Sequence, residues 1–318
     1  MICFHHNDLD GRCAAAVVNK WYTEWRSLGG DARGGIVFRE MDYKDTPNFD
    51  EVLDEEVAIV DFSFKPEVMA KLLAKTDRVI WCDHHKTAEA YDYGRELAGV
   101  RDFAEKGRAG CEVAWDFFFP NSPCPAPIRL LGDYDAWRLQ EGKRTFAFYE
   151  GLKLYSTDPT SPIWPALFRD EPSPIPCLGN LCMKICTAGR NAIQYRDNYC
   201  REIMGSFGYE TEIDGVSAYA TNFYLFGSQG FVENWKKYPI CIAYIHDGQR
   251  FTVSMYSETV DVGEICKRHG GGGHKGAAGF TCDVLPFHKA GKEKYDPRRT
   301  HGAAGAVVQG QPGLERCL

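Results

Sequence analysis

The chain has 318 residues, of which 44% are hydrophobic and 25% are charged, and its formal net charge is -7. Because a single core seldom grows past roughly 250 residues, this length predicts two domains, each with a substantial hydrophobic core. The acidic balance excludes a broad basic face that holds long duplex DNA. It leaves short nucleic acids and nucleotides open, since bound cations can supply positive charge locally.

The amino-terminal sequence MICFHHNDLDG has neither the basic region nor the apolar segment of a secretory signal. No run in the sequence approaches the roughly 18 consecutive apolar residues that a membrane helix needs. The chain also contains 13 cysteines. Together these features predict reduced thiols in a cytoplasmic protein without membrane contact, rather than a disulfide framework.

The first 140 residues alternate short apolar runs with helical patterns. Strands are predicted at 2–6, 36–43, 57–64 and 78–83, and helices between them include 12–24 and 66–74. Strands that alternate with helices are typical of βαβ units. The pattern therefore predicts an α/β domain with a mostly parallel sheet that is buried on both faces.

The second half of the chain changes character twice. Prolines crowd together at 141–177, where a connection with short helical pieces is predicted, and one long helix is predicted at 178–204 after Pro176. The region 208–283 is β-rich, with strands predicted at 217–221, 240–246, 251–256 and 277–282 and a helix at 261–268. The end of the chain, 285–318, is rich in glycine, proline and charge, which predicts a disordered tail.

Acidic and imidazole side chains fall at the ends of three predicted strands: Asp8 and Asp10, Asp61, and the triplet Asp83-His84-His85. The carboxyl ends of parallel strands form the crevice where ligands bind, so these side chains should converge. Any one aspartate could instead cap a helix or a turn. Several of them behind apolar strands favour a metal site, because buried carboxylates are costly without a cation. Oxygen and imidazole ligands suit Mn²⁺ or a similar divalent ion.

A second candidate site is the glycine run that begins at Gly270. A turn with positive φ angles would explain one or two of its four glycines. Bare backbone that approaches a phosphate or ribose would explain the rest, with His274 and Lys275 adding a donor and a charge. Arg108 precedes a helical pattern, so this side chain and the helix N-terminus could contact a phosphate, with a plain turn as the alternative.

Five ordered motifs resemble those of the DHH phosphoesterase superfamily, which includes RecJ-type exonucleases, nanoRNases, cyclic-dinucleotide phosphodiesterases and manganese pyrophosphatases. Four lie in the first half of the chain: His6-Asn7-Asp8-Leu9-Asp10-Gly11, Val60-Asp61-Phe62-Ser63, Asp83-His84-His85 and Gly132-Asp133-Tyr134-Asp135-Ala136-Trp137. The fifth, at 270–279, resembles the GGGH loop of the DHHA1 substrate domain. The resemblance spans residues 1 to about 284.

The resemblance implies a specific domain plan. A catalytic DHH domain with a parallel sheet would occupy 1–150, and a connector with a long helix would occupy 151–207. A smaller α+β DHHA1 domain would occupy 208–284, with the active site in the cleft between the two domains. The tail at 285–318 is not covered.

The resemblance also implies roles for individual residues. Two divalent cations, Mn²⁺ or alternatively Mg²⁺, would be bound, and Asp61 would bridge them. The ligands would be His6, Asp8, Asp10, Asp61, His84 and Asp133. His85 would contact a phosphate oxygen or the leaving group, and Asp83 would orient an imidazole. The substrate would contact Gly271, Gly272, Gly273, His274, Lys275 and Arg108.

Two of these ligand assignments have rivals in the sequence. His5 is the alternative to His6, although strand alternation should point it to the other face of the sheet. Asp133 and Asp135 are expected to share a face. Asp133 is preferred, because a bulky residue, Trp137, follows it by four positions as in related motifs.

The predicted function is hydrolysis of phosphodiester bonds in short oligonucleotides, which releases nucleoside monophosphates through a hydroxide activated by two metals. The alternative substrates are a cyclic (di)nucleotide or a nucleotide 3'-phosphate. A non-catalytic nucleotide sensor is the contrasting class, and it is disfavoured because every metal motif is intact. Short oligonucleotides or nucleotides are the predicted partners, and a homodimer is left open.

Overall fold

A computed structural model describes residues 1–29, 34–169 and 181–289. The predicted start of the long helix at 178, after Pro176, and residues 290–318 of the predicted tail lie outside these described residues. The chain divides into two compact units, and the boundary between Ile193 and Gln194 falls inside the predicted connector. Among the described helices, none is long and apolar enough to cross a membrane.

The first unit contains a four-stranded sheet in the order β2-β1-β3-β4, in which every neighbouring pair is parallel. Its strands are β1 (Ile2–His6), β2 (Val37–Met41), β3 (Val57–Val60) and β4 (Val79–Cys82). The predicted parallel sheet of an α/β fold is confirmed. The predicted burial of both faces holds for the inner strands, but the edge strand β2 is partly exposed.

Helices cover both faces of this sheet. They are α1 (Leu9–Ser27), α2 (Pro66–Leu73), α3 (Gly110–Phe118), α4 (Ala126–Asp135), α5 (Lys143–Leu152) and α6 (Ile163–Phe168), with short 3-10 helices at Asp50–Val52 and Lys86–Ala90. Successive strand residues enter opposite cores, as the period of two requires. Ala58 and Val60 pack in the core that contains α1 and α3, whereas Val57 and Ile59 pack in the core that contains α2.

Two element ends differ from the sequence prediction in ways that shape the site. Helix α1 begins at Leu9 rather than 12 because Asp8 is its N-cap and accepts a hydrogen bond from the N–H of Gly11. Strand β3 ends at Val60 rather than 64 because Asp61 has a φ of +53°. The chain therefore turns out of the sheet at Asp61, and this turn sets the direction of its carboxylate.

A 27-residue helix, α7 (Leu181–Phe207), contains the boundary between the units. The second unit has a mixed six-stranded sheet in the order β5-β6-β7-β8-β10-β9, in which only β6 and β7 pair in parallel. The strands are β5 (Tyr209–Ile213), β6 (Val216–Thr221), β7 (Ile240–His246), β8 (Phe251–Tyr256), β9 (Gly272–His274) and β10 (Ala277–Cys282).

The remaining elements of this unit are α8 (Val262–Arg268) and a 3-10 segment at Gly227–Lys236. The four strands that the sequence predicts correspond to β6, β7, β8 and β10. Strand β5 is a partly exposed strand at the sheet edge, and β9 lies within the glycine run, so neither carries the apolar signal on which the prediction depends.

Candidate metal centre

The loop after β1 places Asp8 beside His6. One Asp8 carboxylate oxygen caps α1, and the other lies 2.8 Å from Nδ1 of His6. A Cβ on Gly11 would overlap the backbone of His6, so the glycine lets the helix start this close to the strand. Burial opposes ionisation of Asp8, but the hydrogen bonds from His6 and Gly11 and the charges of His6 and His85 together outweigh it and lower the Asp8 pKa to about 2. Asp8 therefore caps α1 and also contributes a carboxylate to the group of acidic and imidazole side chains near the strand ends, the acidic cluster.

Asp10 lies in the first turn of α1 and is buried. Its carboxylate accepts hydrogen bonds from the backbone N–H groups of Gly110, at 2.7 Å, and Cys111, at 3.1 Å. These two groups form the N-terminus of α3, where unpaired amides and the helix dipole favour an anion. The anion here is an aspartate of the protein itself.

This arrangement bears on the phosphate contact predicted for Arg108. The amides of α3 that were expected to face a phosphate are bonded to Asp10. The Arg108 guanidinium is paired with Asp102, at 2.9 Å, and with Asp116. Since the charge of Arg108 is already balanced by two carboxylates, the geometry does not support the predicted contact.

Asp61 is the most constrained residue of the cluster. Its side chain is 1% exposed, and neither carboxylate oxygen has a hydrogen-bond partner among the described residues. Its φ of +53° lies in the left-handed region, which non-glycine residues adopt at a cost. A Cβ on Gly110 would overlap the Asp61 side chain, so that glycine makes room for it. Burial, and then repulsion from Asp10 and Asp8, raise the pKa of Asp61 well above its ordinary value.

Asp83 lies directly after β4 and is fully buried. One of its oxygens accepts a hydrogen bond from the backbone N–H of His84 at 2.8 Å and lies 2.8 Å from Nδ1 of His85. The other oxygen accepts a hydrogen bond from the hydroxyl of Ser63. Burial lowers the pKa of His85, but the hydrogen bond to Asp83 and the charges of Asp83, Asp10 and Asp8 together outweigh it, and the net shift is upward. Asp83 is therefore a partner of His85 and not a member of the ligand groups.

His84 points into the carboxylate cluster. Its Nε2 lies 3.1 Å from Asp61 Oδ1 and 3.2 Å from Asp135 Oδ2. The same atom lies 3.7 Å from Asp10 Oδ2. Burial is the largest cause of the lowered pKa of this imidazole. The lowered pKa favours the neutral ring, which is the form that binds a metal ion.

The predicted ligand Asp133 needs a correction. The carboxylate of Asp133 accepts hydrogen bonds from the N–H groups of Gln140 and Glu141 and from the Thr145 hydroxyl. Asp135 occupies the expected place beside His84. The expectation that the two aspartates share a face suits a strand, but both lie in helix α4, where residues two apart point in nearly opposite directions. Burial, followed by repulsion from Asp10, raises the pKa of Asp135 well above its ordinary value.

Among the residues that the structure describes, three groups of side chains have ligand atoms within 4.8 Å of one another. They are His6 with Asp8 and Asp61, Asp10 with His84 and Asp135, and Asp61 with His84 and His85. Asp61 and His84 each belong to two groups, so the groups form one continuous cluster of oxygen and imidazole ligands. The absence of hydrogen bonds to the Asp61 oxygens among the described residues and the raised carboxyl pKa values fit a divalent cation, because added positive charge would remove both costs. The rival His5 instead bonds the backbone carbonyl of His6 through Nδ1.

Tyr43, just beyond edge strand β2, is a neighbour of the cluster that sequence reasoning did not single out. Its ring stacks on Phe62 with centroids 4.8 Å apart and meets the rings of His6 and His85 at 5.6 and 5.7 Å. The side chain remains 45% exposed. Its place at the carboxyl edge of the sheet was the available signal, since Asp8, Asp61 and Asp83 follow their strands in the same way.

The predicted substrate residues of the glycine run lie in the second unit, in β9 and its turn to β10. A Cβ on Gly271 would overlap the carbonyl of Gly279, and one on Gly273 would overlap Ala278, whose strand pairs with β9. Gly270 and Gly273 also have positive φ angles. Gly272 differs, because a Cβ there would meet open space. His274 and Lys275 are exposed.

No family model matches the chain. Among curated proteins, an uncharacterized protein of Acanthamoeba polyphaga mimivirus is 22% identical over 309 residues, which cover 91% of this chain and 70% of that protein. Among solved structures, the DHH domain of a member of a family of ribosomal proteins matches with a TM-score of 0.56 at 14% identity. That match covers 87% of this chain and 81% of the other.

Two further solved structures match at lower TM-scores. The pGpG-specific phosphodiesterase PggH from Vibrio cholerae gives 0.44 at 12% identity, over 89% of this chain and 92% of the other. RecJ from Thermus thermophilus in complex with Mn²⁺ gives 0.47 at 17% identity, over 89% of this chain and 49% of the other. The match with a TM-score of 0.56 shows that the fold is similar to that of the DHH domain in that structure.

Proposed function

We propose that this protein is a divalent-metal-dependent phosphoesterase that hydrolyses phosphodiester bonds of short oligonucleotides and releases nucleoside monophosphates. The observation that carries the proposal is Asp61, which combines a buried carboxylate without hydrogen-bond partners among the described residues and a strained backbone. A buried charge of this kind costs several kcal/mol unless a cation compensates it (about 3–5 kcal/mol for an unpaired one). Strain that persists at such a cost is typical of a functional site.

Two cations would fit the cluster, with Mn²⁺ as the first choice and Mg²⁺ as the alternative. One would be held by His6, Asp8 and Asp61, and the other by Asp10, His84 and Asp135, with Asp61 between them. When bound, such ions polarise a phosphoryl group and supply a water of lowered pKa at neutral pH. The protein contributes rigid ligand positions: α3 fixes Asp10, the N-cap geometry fixes Asp8, and the turn at Asp61 fixes the central carboxylate.

His85 would donate a hydrogen bond or a proton to a phosphoryl oxygen or to the leaving group. Its Nδ1 is held by Asp83 at 2.8 Å, so Nε2 is the nitrogen that remains for the substrate. The raised pKa of His85 favours the protonated ring. A proton on Nε2 would then be donated to a phosphoryl oxygen or to the departing sugar oxygen, which leaves as a hydroxyl.

The preference for short substrates rests on charge. A protein with a net charge of -7 gains little from the long-range attraction that holds extended nucleic acids, so its affinity must come from contacts at the reacting phosphate. The glycine run of the second unit is the proposed nucleotide contact. Gly272 supports it, because an open backbone position without a packing requirement is what a close approach of phosphate needs.

The proposal is tested by turnover with Mn²⁺ on di- to hexanucleotides, cyclic dinucleotides and a nucleotide 3'-phosphate. We expect nucleoside monophosphates from the short linear substrates, with rates that fall as the length increases. Preferred turnover of a cyclic dinucleotide or a 3'-phosphate would keep the phosphoesterase class and replace the substrate. Failure of the Mn²⁺-loaded protein on every substrate would contradict the proposed function.

The variant Asp61→Asn links the activity to the cluster. Asparagine keeps the shape and tolerates a positive φ, but its amide cannot replace a bridging carboxylate. We expect at least roughly a 1,000-fold loss of activity, comparable with removal of a group that acts directly in the reaction. Glu51→Gln is the matched control, because it neutralises an exposed carboxylate that pairs with Arg39. Isothermal titration calorimetry with Mn²⁺ should detect binding to the control and not to Asp61→Asn.

A further inference from the structure

A buried chain of hydrogen bonds runs from the core to His85. The indole Nε1 of Trp81 donates to Ser63 Oγ at 2.9 Å, and the Ser63 hydroxyl donates to Asp83 Oδ2. Asp83 Oδ1 then accepts from Nδ1 of His85 at 2.8 Å. Trp81, Ser63 and Asp83 are 7%, 2% and 0% exposed, so water does not compete for these bonds.

The chemistry of the groups fixes the direction of every bond. An indole N–H can only donate and an ionised carboxylate can only accept, so the single Ser63 proton must point at Asp83. Burial raises the pKa of Asp83, but the hydrogen bonds from His85 and Ser63 and the charges of His85 and His84 together outweigh it and hold that pKa below its ordinary value. Asp83 Oδ1, which bonds Nδ1 of His85, also accepts hydrogen bonds from the backbone N–H groups of His84 and His85. With both oxygens held, the carboxylate cannot rotate, and the proton of a neutral His85 must lie on Nδ1.

The beginning of this hydrogen-bond chain is held as firmly as its end. The guanidinium of Arg101 lies over the Trp81 ring at 5.0 Å and donates to the Trp81 carbonyl at 3.1 Å. A Cβ on Gly99 would overlap that carbonyl, so the approach of this segment to β4 requires glycine. The indole is therefore fixed before it meets Ser63.

We infer that Ser63 is a positioning residue, which fixes the Asp83 carboxylate and thereby presents Nε2 of His85 to the phosphoryl group of the substrate. The inference rests on the proposed function for its catalytic consequence. The geometric part, in which Ser63 determines the tautomer of His85, holds for the metal-free protein and is measured without turnover.

The test pairs Ser63→Ala with Thr145→Val. The two residues are a natural matched pair, because each donates a buried hydroxyl to a buried aspartate, Asp83 or Asp133, and only Asp83 contacts His85. We expect Ser63→Ala to lower kcat roughly 10- to 100-fold, as the loss of an outer partner of a site residue does, while KM and the Mn²⁺ affinity stay within about twofold. Thr145→Val should lower the Tm by about as much as Ser63→Ala does, but should leave kcat within about twofold of the wild-type value.

The second measurement is ¹⁵N NMR of the His85 ring in the metal-free proteins at alkaline pH, where the imidazole is neutral. The wild type and Thr145→Val should show the proton on Nδ1, whereas Ser63→Ala should show a mixture with the proton on Nε2. An unchanged His85 spectrum in Ser63→Ala would overturn the inference. The inference would also be overturned if the wild type is active and Ser63→Ala has the same kcat as the wild type.

The kinetic and NMR measurements together also distinguish a failure of this inference from a failure of the proposed function. If the wild type turns over none of the substrates, the proposed function fails, and the spectra still decide whether Ser63 controls His85. If the wild type is active and the tautomer shifts together with a loss of kcat, the positioning role is supported. Equal losses of kcat in both variants would assign the effect to stability and contradict it.

Discussion

In the sequence, the acidic cluster of the first unit and the glycine run of the second unit are equally unusual, but the fold accounts for them very differently. Packing explains most of the glycine run, because Gly271 and Gly273 allow β9 to lie close against β10. Packing does not explain the cluster, where Asp61 is buried, strained and without hydrogen-bond partners among the described residues. A residue that the fold does not require is the better indicator of function. By that criterion the cluster contributes Asp61, and the glycine run contributes Gly272.

The largest effect that would sharpen this contrast is expected from Gly110→Ala. The new methyl group would overlap the short, buried Asp61 side chain and disturb the amides that hold Asp10. Overpacking of this kind costs about 1–3 kcal/mol. We expect that loss of unfolding free energy in urea, together with loss of Mn²⁺ binding by calorimetry and of at least roughly 100-fold in activity, as for a displaced reactive group.

Gly205→Ala is the control for Gly110→Ala. Gly205 lies within α7, and a Cβ there would meet open space. The substitution should stabilise the protein by roughly 0.5–1 kcal/mol, because alanine favours a helix. If Gly110→Ala also stabilises the protein and keeps its metal affinity, then Gly110 of α3 does not lie in close contact with Asp61.

The next largest effects should separate Asp133 from Asp135. Asp133→Asn replaces an acceptor of three hydrogen bonds, so the metal-free protein should lose about 1–3 kcal/mol of unfolding free energy. Asp135→Asn removes a charge that is repelled by Asp10, so the metal-free protein should gain stability while its Mn²⁺ affinity falls at least about tenfold, as for loss of a ligand. Urea unfolding with and without Mn²⁺ measures both. Changes of the same sign in the two metal-free variants would restore Asp133 as the candidate ligand.

Much of this arrangement was predictable, and the error at Asp133 shows where the limit lies. The strand-end positions of Asp8, Asp10 and Asp61 follow from apolar runs, whose period is local information. The choice between Asp133 and Asp135 depends on whether their motif is a strand or a helix end, and a short motif does not decide this. The pairing of Arg108 with nearby carboxylates and of Ser63 with Trp81 and Asp83 depends on how the chain folds around them, which no spacing in the sequence encodes.

A smaller effect should appear in the pH dependence of the metal-free protein. Because the folded-state pKa of Asp61 is raised above its ordinary value of 3.8, its contribution to stability is present at low pH and is lost as the pH rises through the folded value. Asp61→Asn should therefore stabilise the metal-free protein more at a pH of about 8 than at about 5. Asp8 acts in the opposite sense, but only as the pH falls toward about 2, so it does not enter this range.

The measurement is thermal unfolding of the wild type and Asp61→Asn in a chelating buffer across that range. Added Mn²⁺ should reverse the order of the two proteins, because a ligand that binds only the folded wild type stabilises it, by about 2.7 kcal/mol at roughly 100 times its Kd. A difference between the two proteins that is independent of pH would mean that Asp61 is not a strained acid in the folded state.

The smallest effect on stability is expected from Gly272→Ala, and it tests whether the glycine run has any role beyond packing. The Cβ would enter open space and the φ of Gly272 is not positive, so the unfolding free energy should change by less than roughly 0.5 kcal/mol. Gly271→Ala is the contrasting variant, since its Cβ would overlap the carbonyl of Gly279 and should destabilise the second unit. If the bare backbone at Gly272 approaches a phosphate, the methyl group should raise KM several-fold while kcat and Mn²⁺ affinity stay unchanged. An unchanged KM in a protein of unchanged stability would mean that strand packing explains this glycine run, and the contrast with the acidic cluster would then be complete.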